Sequence, residues 1–150
     1  MAELNPGSGQ QQKRILIIDD DPDTIITFRL ALEDSGYKVD SNTDPVLAYK
    51  NFREGLYDLV ILDIRMPVID GFLLYQKIKT TDSKVKICFL TATEFYYEQI
   101  KKKYGFDNFK QELFLRKPIE NKDLVDSIKK IVSTGSTDAN GGRQKQIRAR

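Results

Sequence analysis

Three stretches of four consecutive apolar residues constrain the fold most: Ile15-Leu16-Ile17-Ile18, Leu59-Val60-Ile61-Leu62 and Ile87-Cys88-Phe89-Leu90. They are too short for buried helices and show no alternation, the pattern of strands covered on both faces. With their flanks they form strand candidates at 14–18, 58–62 and 86–90. Two weaker runs, 37–41 and 113–116, bring the number to five. The run at 37–41 has Val39 as its clearest apolar member and reads as an edge strand.

The segments between these runs carry helix start and stop signals. Asp21-Pro22 and Asp44-Pro45 each set a capping acid before a proline suited to the first helical position. Gly36 and Gly55 stand where those two helices should end. Ile25, Phe28 and Leu32 share one helical face, as do Leu124, Ile128, Ile131 and Val132. Tyr96, Ile100 and Tyr104 recur at helical spacing in an aromatic-rich stretch over 95–109, which reads as a fourth helix packed on the sheet. Five successive strand–helix units imply an α/β doubly wound parallel sheet with right-handed crossovers. Chemistry in such a sheet sits at the carboxyl ends of the strands.

Composition narrows the choice further. The 150 residues suit one domain with a real core, and no apolar stretch is long enough to span a membrane. Residues 1–12 are polar, so no secretory signal is expected. Residues 1–12 and 134–150 lack the apolar surface to offset the entropy of ordering, which leaves 13–133 as the folded domain. The net charge of +2 resides in the C-terminal segment, through Arg143, Lys145, Arg148 and Arg150 against Asp138. Cys88 is the single cysteine, so no internal disulfide forms, and a reducing cytoplasm is the expected compartment. Within its apolar run Cys88 reads as a small buried hydrophobe. The absence of histidine excludes Ser-His-Asp and Cys-His catalysis and most zinc sites.

The strand ends carry the chemistry. Strand one ends in Asp19-Asp20-Asp21, strand three in Asp63, strand four in Thr91-Ala92, and strand five in Lys117-Pro118. Asp21 reads as the cap of the first helix. Asp19, Asp20 and Asp63 would gather charges that repel unless neutralised. An oxygen-only set of this kind suits Mg²⁺, which keeps several waters and accepts phosphate oxygens. Asp63, held by a rigid strand, is positioned to attack phosphorus and form an acyl phosphate. Lys117 offers a fixed positive charge to a phosphoryl oxygen, with a cis bond expected at Pro118. Thr91 offers a hydroxyl, although Thr91-Ala92-Thr93-Glu94 also fits a helix capping box.

These pieces resemble a receiver domain of two-component signalling. The resemblance rests on Ile15-Leu16-Ile17-Ile18-Asp19-Asp20-Asp21-Pro22, Leu62-Asp63-Ile64-Arg65-Met66-Pro67 with Asp70-Gly71, Leu90-Thr91-Ala92, and Leu115-Arg116-Lys117-Pro118. It covers roughly residues 13–132 and implies a stand-alone, flavodoxin-like, three-layer αβα domain with strand order 2-1-3-4-5. It also implies that Asp63 is the phosphoacceptor and that a histidine kinase or phosphotransfer protein is the donor. Asp19, Asp20, Asp63 and the backbone carbonyl of Arg65 would hold Mg²⁺. Thr91, Ala92 and Lys117 would surround the phosphoryl group, and Phe114 would turn with Thr91 to remodel the face made by the fourth helix, strand five and the last helix. That face would meet a downstream protein, and a phosphorylation-dependent homodimer is compatible with the family.

Other function classes fit less well. A phosphatase of the haloacid-dehalogenase type needs Asp-x-Asp-x-Thr after a strand, and Asp19, Asp21 and Asp23 put an acid where the Thr belongs. Nucleic-acid binding would rest on the basic tail alone, with no recognition domain. A phosphorylation-independent pseudo-receiver is the remaining alternative, and the full acidic, Thr and Lys set weighs against it.

Overall fold

The structure is a computed structural model that describes residues 11–66, 68–92, 98, 102 and 114–134. The strands are β1 (Arg14–Ile18), β2 (Lys38–Asn42), β3 (Leu59–Asp63), β4 (Lys86–Thr91) and β5 (Phe114–Arg116). The helices are α1 (Pro22–Asp34), α2 (Pro45–Asn51), α3 (Gly71–Thr81) and α4 (Asn121–Ser133). The segment expected to form a helix over 95–109 lies outside the described residues apart from two isolated positions, so α4 is the helix that follows β5. All strand pairs are parallel, in the order β2-β1-β3-β4-β5.

The unbroken apolar runs have a direct physical reading. Successive side chains of a strand point to opposite faces, and both faces here are covered. Ile15, Ile17, Leu59, Ile61, Cys88 and Leu90 pack in one cluster with Ile25, Phe28 and Leu32 of α1 and Leu124, Ile128 and Ile131 of α4. Leu16, Ile18, Val60, Leu62, Ile87 and Phe89 pack in the other with Ala48 of α2 and Phe72, Leu74 and Ile78 of α3. Burying each large aliphatic side chain contributes roughly 1.5–3 kcal/mol relative to exposure. No position in these runs can turn polar without presenting that polarity to a core. In β2 only Val39 is buried, as expected of an edge strand. Its Asp40 instead accepts hydrogen bonds from the Arg14 guanidinium at 2.9 Å and the Tyr57 hydroxyl at 2.7 Å, tying the edge to its neighbour.

Helix boundaries follow the sequence signals at α1. Asp21 caps it, Pro22 opens it, and Gly36 adopts φ +100 just past its end. Gly36 N–H donates to Glu33 O and Tyr37 N–H to Leu32 O, which satisfies carbonyls of the last turn. At α2 the expectation needs correction. The helix ends at Asn51, and Phe52 turns extended to bury its ring in the core. Gly55 then takes φ +81 in the following turn, four residues beyond the helix rather than at its cap. Burial of Phe52 stops the helix sooner than glycine would.

Candidate functional site

Parallel pairing delivers the ends of β1, β3, β4 and β5 to one edge. The register aligns Ile18 with Leu62, Asp63 with Leu90, and Thr91 with Arg116. Bonds just beyond the strands hold this edge together: Ile64 N–H donates to Leu90 O at 3.0 Å, and Lys117 N–H to Thr91 O at 2.8 Å. Asp19 and Lys117, far apart in sequence, therefore meet without any flexible loop deciding their position.

One carboxylate oxygen from each of Asp19, Asp20 and Asp63 lies within 4.8 Å of the others. Asp19 is completely buried, Asp63 is 7% exposed, and Asp20 faces solvent. Asp19 Oδ1 accepts from Asp21 N–H at 2.9 Å. Asp19 Oδ2 is sealed from solvent and receives no aligned hydrogen bond, although Lys117 Nζ stands 2.9 Å from it as an ion pair. The same ammonium is 3.7 Å from Asp63 Oδ2. Asp63 Oδ1 accepts a long bond, 3.3 Å, from Arg65 N–H.

This geometry sets the electrostatics. Burial and then the negative charge of Asp19 push the Asp63 carboxyl up to about 7, and Lys117 offsets only part of the rise. For Lys117, burial works against the charged form, but the carboxylates of Asp19 and Asp63 outweigh it and raise its pKa. Asp21 behaves as a cap: the Thr24 hydroxyl bonds its Oδ2 at 2.8 Å, and with the Asp23 N–H this lowers its pKa.

The remaining candidates surround this cluster. Thr91 is buried at the end of β4, and Ala92 follows at the surface. Thr93 and Glu94 of the suggested capping box lie outside the described residues. Arg65 is exposed, and the Lys117–Pro118 peptide is cis. Phe114 is half-buried. Its ring stacks on Phe89 at 5.0 Å between centroids, and Phe89 stacks in turn on Phe72 of α3 at 4.7 Å. Sequence reasoning assigned Lys117 to a phosphoryl oxygen but did not find its pairing with Asp19. Nothing local signals that pair, because it arises from sheet register.

Asp19, Asp20 and Asp63 could together hold a cation. The donors are all oxygens, their charges converge, and one buried carboxylate oxygen lacks a hydrogen bond. That combination suits a hard divalent ion.

Residues 15–129 match the family model described as response regulator receiver domain. The chain belongs to that family. Receiver domains act in two-component signalling, where they accept phosphoryl groups from histidine kinases. The response regulator receiver protein CpdR of Brucella abortus is 32% identical over 120 residues, spanning 80% of this chain and 97% of that protein. Transcriptional regulatory protein PrrA of Mycobacterium leprae is 34% identical over 85 residues, 57% of this chain, and the match spans only 36% of PrrA. Among solved structures, the response regulator TrrA of Thermotoga maritima in complex with Mg(2+)-BeF superposes with a TM-score of 0.66 at 32% identity. That match covers 80% of this chain and 99% of the TrrA chain. Among the described residues no helix is long and apolar enough to cross a membrane.

Proposed function

We propose that this receiver is a phosphoacceptor switch in which Asp63 takes a phosphoryl group from the phosphohistidine of a partner kinase or phosphotransfer protein. The observation that carries the reading is the position of Asp63. It is nearly buried at the end of a rigid strand, with Asp19 and Asp20 beside it and the Lys117 ammonium 3.7 Å away. A carboxylate oxygen of Asp63 attacks phosphorus. The bond from phosphorus to the donor imidazole nitrogen breaks, its electron pair leaves with the imidazole, and an acyl phosphate remains. Lys117 and the Thr91 hydroxyl hold phosphoryl oxygens.

Asp19, Asp20, Asp63 and the backbone carbonyl of Arg65 would hold Mg²⁺, which when bound supplies positive charge against the attacking and transferred oxygens. The Mg(2+)-BeF complex of TrrA supports this assignment. Phe114, packed on Phe89, and Thr91 on the neighbouring strand make the route by which phosphorylation alters the face that includes β5 and α4. That face is the docking surface for a downstream protein. In this reading residues 13–133 form the receiver, 1–12 and 134–150 flank it, and the cytoplasm is its compartment.

Beryllofluoride, a phosphoryl mimic, tests the reading. With Mg²⁺ it should bind the wild type in a one-to-one complex visible by ¹⁹F NMR, and it should not bind Asp63→Asn. Equal binding by both proteins, or none by either, would contradict the assignment and favour a receiver that works without phosphorylation.

A further inference from the structure

Large apolar side chains exposed among the described residues are confined to two surfaces. Ile26 and Leu30 stand out from α1, at 57% and 64% exposure, and Val46, Leu47 and Leu73 from α2 and α3, at 47%, 45% and 44%. The sixth, Val68, is exposed in the loop that enters α3 and is held at φ +76, where a β-branched side chain is strained. Ile26 and Leu30 are four residues apart and form one stripe of their helix. α2 and α3 lie side by side: the Lys77 ammonium sits over the Tyr49 ring at 5.4 Å, and the Tyr49 and Thr81 hydroxyls are 3.2 Å apart. The two surfaces are opposite in charge. Around its stripe α1 exposes Asp23, Glu33 and Asp34, and its one cation, Arg29, is bound to Glu33 at 3.1 Å. α2, α3 and the turns that follow them expose Lys50, Arg53, Lys77 and Lys84 against Glu54. The capping carboxylates of Asp44 and Asp70 are bonded to amides of their own helices.

We propose that α1 of one copy of this chain docks on the α2–α3 face of a second copy. The association goes beyond the switch reading and needs neither phosphoryl group nor cation. The two surfaces complement each other in register as well as in charge. Leu30 and Asp34 are one helical turn apart, as are Leu73 and Lys77. An α1 laid alongside in the same sense therefore sets leucine on leucine while its acidic end meets Lys77 and Lys50. α1 packs on one face of the sheet and α2 with α3 on the other, so the contact is heterologous and joins copies head to tail. The other segments of this chain do not suit the basic face. Residues 143–150 carry Arg143, Lys145, Arg148 and Arg150, and residues 1–12 carry Glu3 as their one charge. Nucleic acid would meet the cations but would leave three aliphatic side chains without an apolar partner. One helix seated on two covers less area than a standard stable interface, so the association is weak.

Sedimentation velocity of the full chain in chelator, with no phosphodonor, tests the contact. The wild-type sedimentation coefficient should rise with concentration in the sub-millimolar range, and less steeply as salt is added. Two variants each blind one surface: Ile26→Ser with Leu30→Ser, and Leu47→Ser with Leu73→Ser. The replaced side chains are at least 44% exposed, so urea midpoints should match the wild type. Each variant alone should stay monomeric. Mixed, they should form a one-to-one complex and nothing larger, because each retains the surface that the other lacks. Charge gives a second readout: Asp34→Lys in the partner that supplies α1 should weaken the mixed complex about tenfold, and Lys77→Asp in the other should restore it. A wild type that stays monomeric overturns the proposal and leaves the basic face to a different acidic partner. Variants that still self-associate, or that fail to join when mixed, overturn it as well.

Discussion

Gly71 packs directly on the backbone of the candidate phosphoacceptor: a β-carbon there would sit 2.5 Å from Asp63 O and 2.8 Å from the α-carbon of Ile64. The Gly71 N–H also donates to Ile64 O at 2.8 Å, so the first residue of α3 is moored to the end of β3. Asp70 caps the helix by accepting from Phe72 and Leu73 N–H. Gly71→Ala must therefore push the helix off the strand, because the obstructing atoms are backbone. The expected cost is about 2 kcal/mol, the overpacking penalty less a small gain in helix propensity. An unchanged urea midpoint would show that the two elements can part freely.

Asp63 gives the metal-free protein a distinctive pH dependence. Its folded-state pKa is raised from 3.8 to about 7, by burial first and then by Asp19. Between roughly pH 4 and pH 7 the folded chain keeps a proton that the unfolded chain has lost. Stability from this group is thus fully present at the acid end of that window, declines as pH rises through it, and levels off above it. Urea midpoints measured in chelator should fall across this window for the wild type and stay flatter for Asp63→Asn. Saturating Mg²⁺ should also flatten the slope, since the cation takes the proton's role.

Asp82 tests the scaffold away from the site. It is buried at the end of α3, where Oδ2 accepts from Gly55 N–H at 2.9 Å and Oδ1 from Lys84 and Val85 N–H at 3.0 and 3.2 Å. One side chain thus joins the turn before β3 to the turn before β4. Asp82→Ala strands these donors and should cost about 2–3 kcal/mol in denaturant unfolding. Asp82→Asn keeps one acceptor oxygen and should fall between. A near-neutral Asp82→Ala would mean that water satisfies the turns without the carboxylate.

The fold was largely legible because a parallel sheet covered on both faces leaves an unmistakable trace. β1, β3 and β4 are apolar at every position their two cores touch, and the strand ends could be read one residue later as Asp19, Asp63 and Thr91. The α1 boundaries were legible because cap, proline and glycine are local signals. The α2 end was not, because Phe52 leaves the helix to satisfy a core contact that no local rule encodes. The site was legible as a set of residues and illegible as a set of partners. That Lys117 rests on Asp19 rather than Asp63 follows from where β5 ends relative to β1 across two intervening strands, and a sequence carries no mark of that offset.

The most direct test is the intact mass of the protein after incubation with Mg²⁺ and a small phosphodonor, beside Asp63→Asn. The wild type should gain one phosphoryl group, a gain absent in the variant and absent in chelator. A protein that binds beryllofluoride at no concentration and gains no mass, or one whose Asp63→Asn form gains the same mass, would contradict the claim that Asp63 is the phosphoacceptor.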